Sequence, residues 1–73
     1  MQKINYKTLG RYCQKFRSET LKKTQKDVAD DTGLVVTSIS MFENGHSRSS
    51  DLLLWYILKG LPSKYLIRSI EEK

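Results

Sequence analysis

Residues 24–45 read TQKDVADDTGLVVTSISMFENG, and this stretch decides the fold. Thr24 suits a helix start, because its hydroxyl accepts an N–H of the first turn. Asp27, three residues on, favours the helix's positive end. Val28 and Ala29 form the inner face of the short helix that follows. Ala29 is the only alanine in the chain, and a small side chain there lets another helix approach closely. Gly33 ends this helix in the left-handed conformation that other residues avoid, and it allows a turn too tight for a β-carbon. A second helix covers residues 36–43. Ile39 and Phe42 are its inward pair at i, i+3, while Thr37, Ser38, Ser40 and Met41 point elsewhere. Asn44 and Gly45 end it. The spacing of Ala29, Gly33 and Ile39 specifies two short helices crossing steeply through a brief turn, a helix-turn-helix. Val28, Leu34 and Phe42 complete its inner surface.

On the N-terminal side, residues 6–18 form another helix. Leu9, Tyr12, Cys13 and Phe16 fall at i, i+3, i+4, i+7 and make one apolar stripe. Lys7, Arg11, Lys15 and Arg17 surround it with positive charge. Cys13 sits on the stripe and reads as a small buried hydrophobe rather than a redox group. On the C-terminal side, a loop from His46 to Ser49 leads to Ser50 and Asp51, which cap a fourth helix over residues 52–59. Leu52, Leu53, Leu54, Trp55, Ile57 and Leu58 make that helix apolar nearly all round, the pattern of a central helix in a bundle. Gly60 closes it. Pro62 suits the first turn of a fifth helix over residues 62–72, with Leu66, Ile67 and Ile70 on its apolar face and Tyr65 extending it. Residues 34–37 are the one β-branched cluster, too short and isolated to build a sheet. The chain therefore reads as all-α.

Seventy-three residues make one domain, and 38% apolar content gives it a single lean core. No apolar run approaches the roughly 20 residues that span a bilayer, and no signal-peptide core follows Met1. A soluble, cytoplasmic chain is the expectation. One cysteine excludes an intramolecular disulfide and a cysteine zinc cluster. One histidine, His46, leaves little for a zinc site or for catalysis. Asp30 and Asp31 are adjacent in a helix and point in different directions, so they form no carboxylate dyad. With no nucleophile–base pair, metal set or phosphate loop, no cofactor is expected and the chain does not read as an enzyme. The net charge of +5 is uneven. Residues 1–26 carry eight basic groups and one acid, whereas residues 27–51 carry one basic group and five acids. A basic N-terminal third suits a polyanion such as nucleic acid, although solubility alone would also account for it.

Residues 24–45, with their Phe-Glu-Asn-Gly ending, resemble without a gap the helix-turn-helix of the Cro and repressor family of phage and bacterial transcriptional regulators. Leu9-Gly10 and Phe16-Arg17 resemble the start of that family's first helix. The resemblance implies a compact bundle of about five short helices, with the motif as helices two and three. It implies a recognition helix over residues 36–43 that enters the major groove of double-stranded DNA. Gln25 would contact phosphate or a base edge at the start of helix two. Val36, Thr37, Ser38 and Met41 fall on the base-facing positions. Asn44, His46 and Arg48, in the loop beyond, would meet phosphate. Arg17 would pair with Glu43.

Three departures from the pattern matter. One more residue lies between the first and second helices, in the segment from Ser18 to Lys23. Val35 stands where a Ser or Thr often caps the third helix. The third helix also has no Arg, Lys, Gln or Asn before Asn44, so the usual bidentate readers of guanine and adenine are missing. Acid at Asp30 and Asp31 would repel phosphate. Two functions therefore stand: a sequence-specific DNA-binding regulator acting as a symmetric dimer, or a helix-turn-helix that binds another regulatory protein. In the dimer, Leu61, Tyr65, Leu66, Ile67 and Ile70 of helix five offer surface to a second copy; alternatively Tyr65 and Ile70 cover Trp55.

Overall fold

The computed structural model describes the backbone of residues 2–72 and the side chains of residues 3–70. Its helices are α1 (Tyr6–Lys15), continued by a π-helical turn (Phe16–Leu21), then α2 (Gln25–Thr32), α3 (Val36–Glu43), α4 (Ser50–Leu58) and α5 (Ser63–Arg68). Two short strands, β1 (Gln2–Ile4) and β2 (Ile70–Glu72), pair antiparallel and tie the chain ends together. The domain is a small all-α bundle with this one ribbon.

Local chemistry sets the helix starts. The Asn5 side-chain oxygen accepts the N–H groups of Lys7 and Thr8, both at 3.1 Å, and so caps α1. Thr24 and Asp27 exchange side-chain and backbone hydrogen bonds at 3.1 and 2.9 Å, a complete capping box on α2. The N–H and hydroxyl of Thr24 hold the Asp27 carboxyl below its usual range. Val35 precedes α3 and supplies no side-chain cap. The helix predicted over residues 6–18 runs to Leu21, with its last stretch wound wider. A π turn accommodates an added residue without breaking the helix. Lys22 then turns the chain at φ 55°, a left-handed conformation outside glycine.

The core comprises Leu9, Cys13 and Phe16 from α1 and the π turn, Val28 and Ala29 from α2, Ile39 and Phe42 from α3, Leu52 and Tyr56 from α4, and Leu61. Burial pushes the Cys13 thiol up to about 12, so the group stays a neutral thiol. The two glycines that matter most for packing lie elsewhere than the motif's turn. A β-carbon on Gly10 would sit 2.5 Å from the Glu43 carbonyl oxygen and 2.6 Å from that of Phe42. A β-carbon on Gly45 would sit 2.6 Å from Lys7 Cα. The end of α3 therefore lies directly against α1. Gly33 corrects the sequence reading: its φ of 78° is left-handed, but a β-carbon there would meet nothing within 4 Å. Conformation, not crowding, requires it. Gly33→Asn is expected to cost less than about 1 kcal/mol in urea melts, because Asn tolerates this region. A loss above about 2 kcal/mol would show that the turn is sterically closed after all.

Two further expectations change. The fourth helix is not central: Leu52 and Tyr56 are buried, but Leu54, Ile57 and Leu58 face outward. Too few elements surround a nine-residue helix in so short a chain to cover every side. The fifth helix stops at Arg68 rather than near residue 72. Ser69 Oγ donates to the Tyr65 carbonyl at 2.7 Å, and the Ser69 carbonyl accepts the Asn5 N–H at 2.6 Å. A short terminal helix is marginal, and residues 70–72 find backbone partners on β1 instead. This also reduces the surface offered for dimerisation. Leu61 is in the core, Tyr65 and Leu66 pack against it, and Ile67 and Ile70 remain exposed. Tyr65 stacks on Tyr12, with ring centroids 4.5 Å apart.

Candidate functional site

The pairing predicted for Arg17 and Glu43 is present and forms part of a larger buried network. Arg17 Nε donates to Glu43 Oε2 at 2.7 Å and Arg17 Nη2 to Oε1 at 3.0 Å, a bidentate fork. Arg17 Nη1 donates to the Lys23 carbonyl at 2.8 Å. Tyr56 adds its hydroxyl to Glu43 Oε2 at 2.6 Å, and Gln25 adds its amide to Oε1 at 3.0 Å. One carboxylate at the end of α3 thus collects donors from the π turn, α2 and α4. Hydrogen bonding to Glu43 raises the Arg17 pKa, so the guanidinium stays charged. Burial and the bond to Glu43 raise that of Tyr56, so its hydroxyl remains a donor. Tyr56 was missed in the sequence. Its spacing of four from Leu52 marks the inward stripe of α4, but its polar role depends on where Glu43 lies.

In this network one N–H of the Gln25 amide turns inward to Glu43. Its second N–H and its amide oxygen are left for an outside partner. The helical period places Val36, Ser40 and Asn44 along one line of α3, with Thr37 and Met41 beside it. Val36, Thr37 and Met41 are exposed, whereas Ser38 is half-buried. The Asn44 amide donates back to the Ser40 carbonyl at 2.9 Å, which settles the C-terminal turn of α3. His46 is exposed in the loop. Arg48 lies over the Tyr6 ring, 5.3 Å from its centroid, which positions the guanidinium.

The acid pair has partners that the sequence does not show. Asp30 pairs with Lys26 at 3.2 Å. Asp31 accepts the Trp55 indole N–H at 2.8 Å and faces Lys59 at 3.7 Å. The indole first, and Lys59 next, hold the Asp31 carboxyl below its usual range. Both charges therefore have local partners. The lone histidine and cysteine stay apart from any ligand set: among the described residues no group of three or more His, Cys, Asp or Glu is placed to hold a metal. No helix among them is long and apolar enough to cross a membrane.

Two grooves flank the motif. A basic one of about 480 Å³ runs along α1, lined by Lys7, Arg11, Gln14, Lys15 and Ser18 and closed by Glu43 and Asn44. An apolar one of about 260 Å³ lies beside the α2–α3 turn, lined by Thr32, Leu34, Asp51, Leu54, Trp55 and Leu58. In comparisons with known proteins, no family model matches the chain, and neither does a curated protein or a solved structure.

Proposed function

We propose that the chain is a DNA-binding regulator that lays α3 in the major groove, as its resemblance to the Cro and repressor family implies. The observation that carries this reading is the packing of α3. Ile39, Phe42 and Glu43 anchor it inward while Val36, Thr37 and Met41 face solvent with no partner element over them. A helix held by one side and offered by the other is what groove reading needs. Lys26 beside Asp30 and Lys59 beside Asp31 offset part of the negative charge that an anionic partner would meet.

The exposed side chains on α3 end in methyl, hydroxyl and thioether groups. Their specific target in the major groove is the thymine 5-methyl. Hydroxyls donate or accept and discriminate little. Half-sites should therefore contain A·T pairs, with discrimination near the low end of about 1–3 kcal/mol per base. Selection of bound duplexes from a random pool should enrich a sequence, and binding should weaken steeply as salt rises. Replacing thymine by uracil at the enriched positions should then weaken binding. Equal affinity after every such replacement would eliminate methyl readout.

The apolar groove supports a second reading, a domain that binds another regulatory protein. Leu54 and Leu58 face solvent there, beside the half-buried Leu34 and Trp55, and exposed apolar surface of this kind marks protein contacts. Absence of any enriched duplex at low salt would favour it. Dimerisation is part of the first reading, since one half-site gives a small domain little affinity. Sedimentation at tens of micromolar, with and without an enriched duplex, tests it; a strict monomer in both would remove it.

A further inference from the structure

We propose that the basic groove along α1 is a second DNA contact, one that grips the phosphodiester backbone beside the half-site and reads no bases. This rests on the DNA-reading assignment above and adds a site that the motif itself does not contain. Lys7, Arg11 and Lys15 recur every four residues, so they stand on one side of α1 and span about 12 Å along its axis. Phosphates of one strand advance about 3.4 Å each along the duplex axis, so this row matches about three of them. All three side chains are exposed, and none of the ion pairs among the described residues involves them. Glu43, the one acid among the lining residues, is already engaged by Arg17, Gln25 and Tyr56. The groove therefore offers positive charge that the fold itself does not use.

Continuity with α3 fixes which polyanion surface is meant. Asn44 closes the groove and also terminates α3. Gly45 brings the chain beyond α3 within contact of Lys7. Another hollow, lined by Lys3, Ile4, Tyr6 and Arg48, adds two more cations at the start of α1. A strand whose bases meet α3 thus has a row of cations starting where α3 ends.

The test compares the chain with its Lys7→Gln/Arg11→Gln/Lys15→Gln variant, using fluorescence anisotropy across a salt series. The probes are a labelled duplex enriched from the random pool and a scrambled duplex of equal length. A Lys64→Gln/Arg68→Gln variant, altered on α5 away from the groove lining, is the control, and circular dichroism checks that each variant is folded. The groove variant should bind both duplexes about tenfold or more weakly at low salt. Its log K against log salt line should be shallower by roughly 1 for each lost phosphate contact. The control should change neither quantity as much. An unchanged slope with the parent binding normally would overturn the groove and leave the DNA reading intact. Weakening for the enriched duplex alone would overturn it too, since that would signal base contacts. A parent that binds neither duplex would overturn both assignments.

Discussion

Glu43→Ala should remove a large share of the fold's stability, about 3–5 kcal/mol. The substitution removes the shared acceptor of Arg17, Tyr56 and Gln25, whose side chains then keep donors without partners. The Glu43 side chain is 1% exposed and that of Arg17 is 9% exposed, so water cannot replace the lost carboxylate without opening the bundle. Breaking a buried ion pair from one side costs about 3–5 kcal/mol. A chain of this length has a total stability of about 4–11 kcal/mol, so the loss is a large share of the whole. Urea melts of Arg17→Ala, Glu43→Ala and the double variant measure the coupling. The double variant should be less damaged than the two single losses combined, because it leaves no lone charge. Additive losses, or a Glu43→Ala loss below about 1 kcal/mol, would mean that the pair is solvated. Tyr56→Phe should be milder, about 1–2 kcal/mol, since Glu43 keeps its other donors.

Gly10→Ala should be the next most damaging single change, although in most helices it would help. Alanine in place of glycine inside a helix ordinarily stabilises by about 0.5–1 kcal/mol. Here the new β-carbon meets two backbone carbonyl oxygens at 2.5 and 2.6 Å, and backbone cannot rotate aside as a side chain can. Helix α1 would have to back away from α3, which also lengthens the Arg17–Glu43 bonds. A net loss of about 1–3 kcal/mol follows from such overpacking. Thermal and urea melts report it directly. A gain in stability would show that α1 and α3 are not in backbone contact.

Much of the architecture was legible in the sequence because it depends on neighbours a few residues apart. The Thr24–Asp27 capping box, the left-handed Gly33 and the inward Ile39–Phe42 pair are all decided within one or two turns. So are the apolar stripe of α1 and the stops at Gly45 and Gly60. The placement of Arg17 against Glu43 came from resemblance alone, since the two lie 26 residues apart. Of the candidate site, the outward Thr37 and Met41 follow from helical period, Val36 follows from resemblance, and Ser38, read as outward, is half-buried. That one N–H of the Gln25 amide serves Glu43 follows from no local rule.

What the sequence alone determined is the set of helices, the turn between α2 and α3, and the uneven charge that makes α1 basic. These follow from short-range backbone preference and from counting. The tertiary structure decided which glycine must lack a β-carbon, how the chain before α2 is wound and where α5 ends. It also decided which side of α4 is buried and what each charge meets. Ile70 could continue a helix or pair with Ile4, and only the proximity of the two chain ends selects the ribbon. Asp31 reads as a free acid until Trp55 and Lys59 are brought beside it. The physical reason is common to these cases: hydrogen bonds, close packing and charge pairing act over a few ångströms in space, and separation along the chain does not determine which groups come that near.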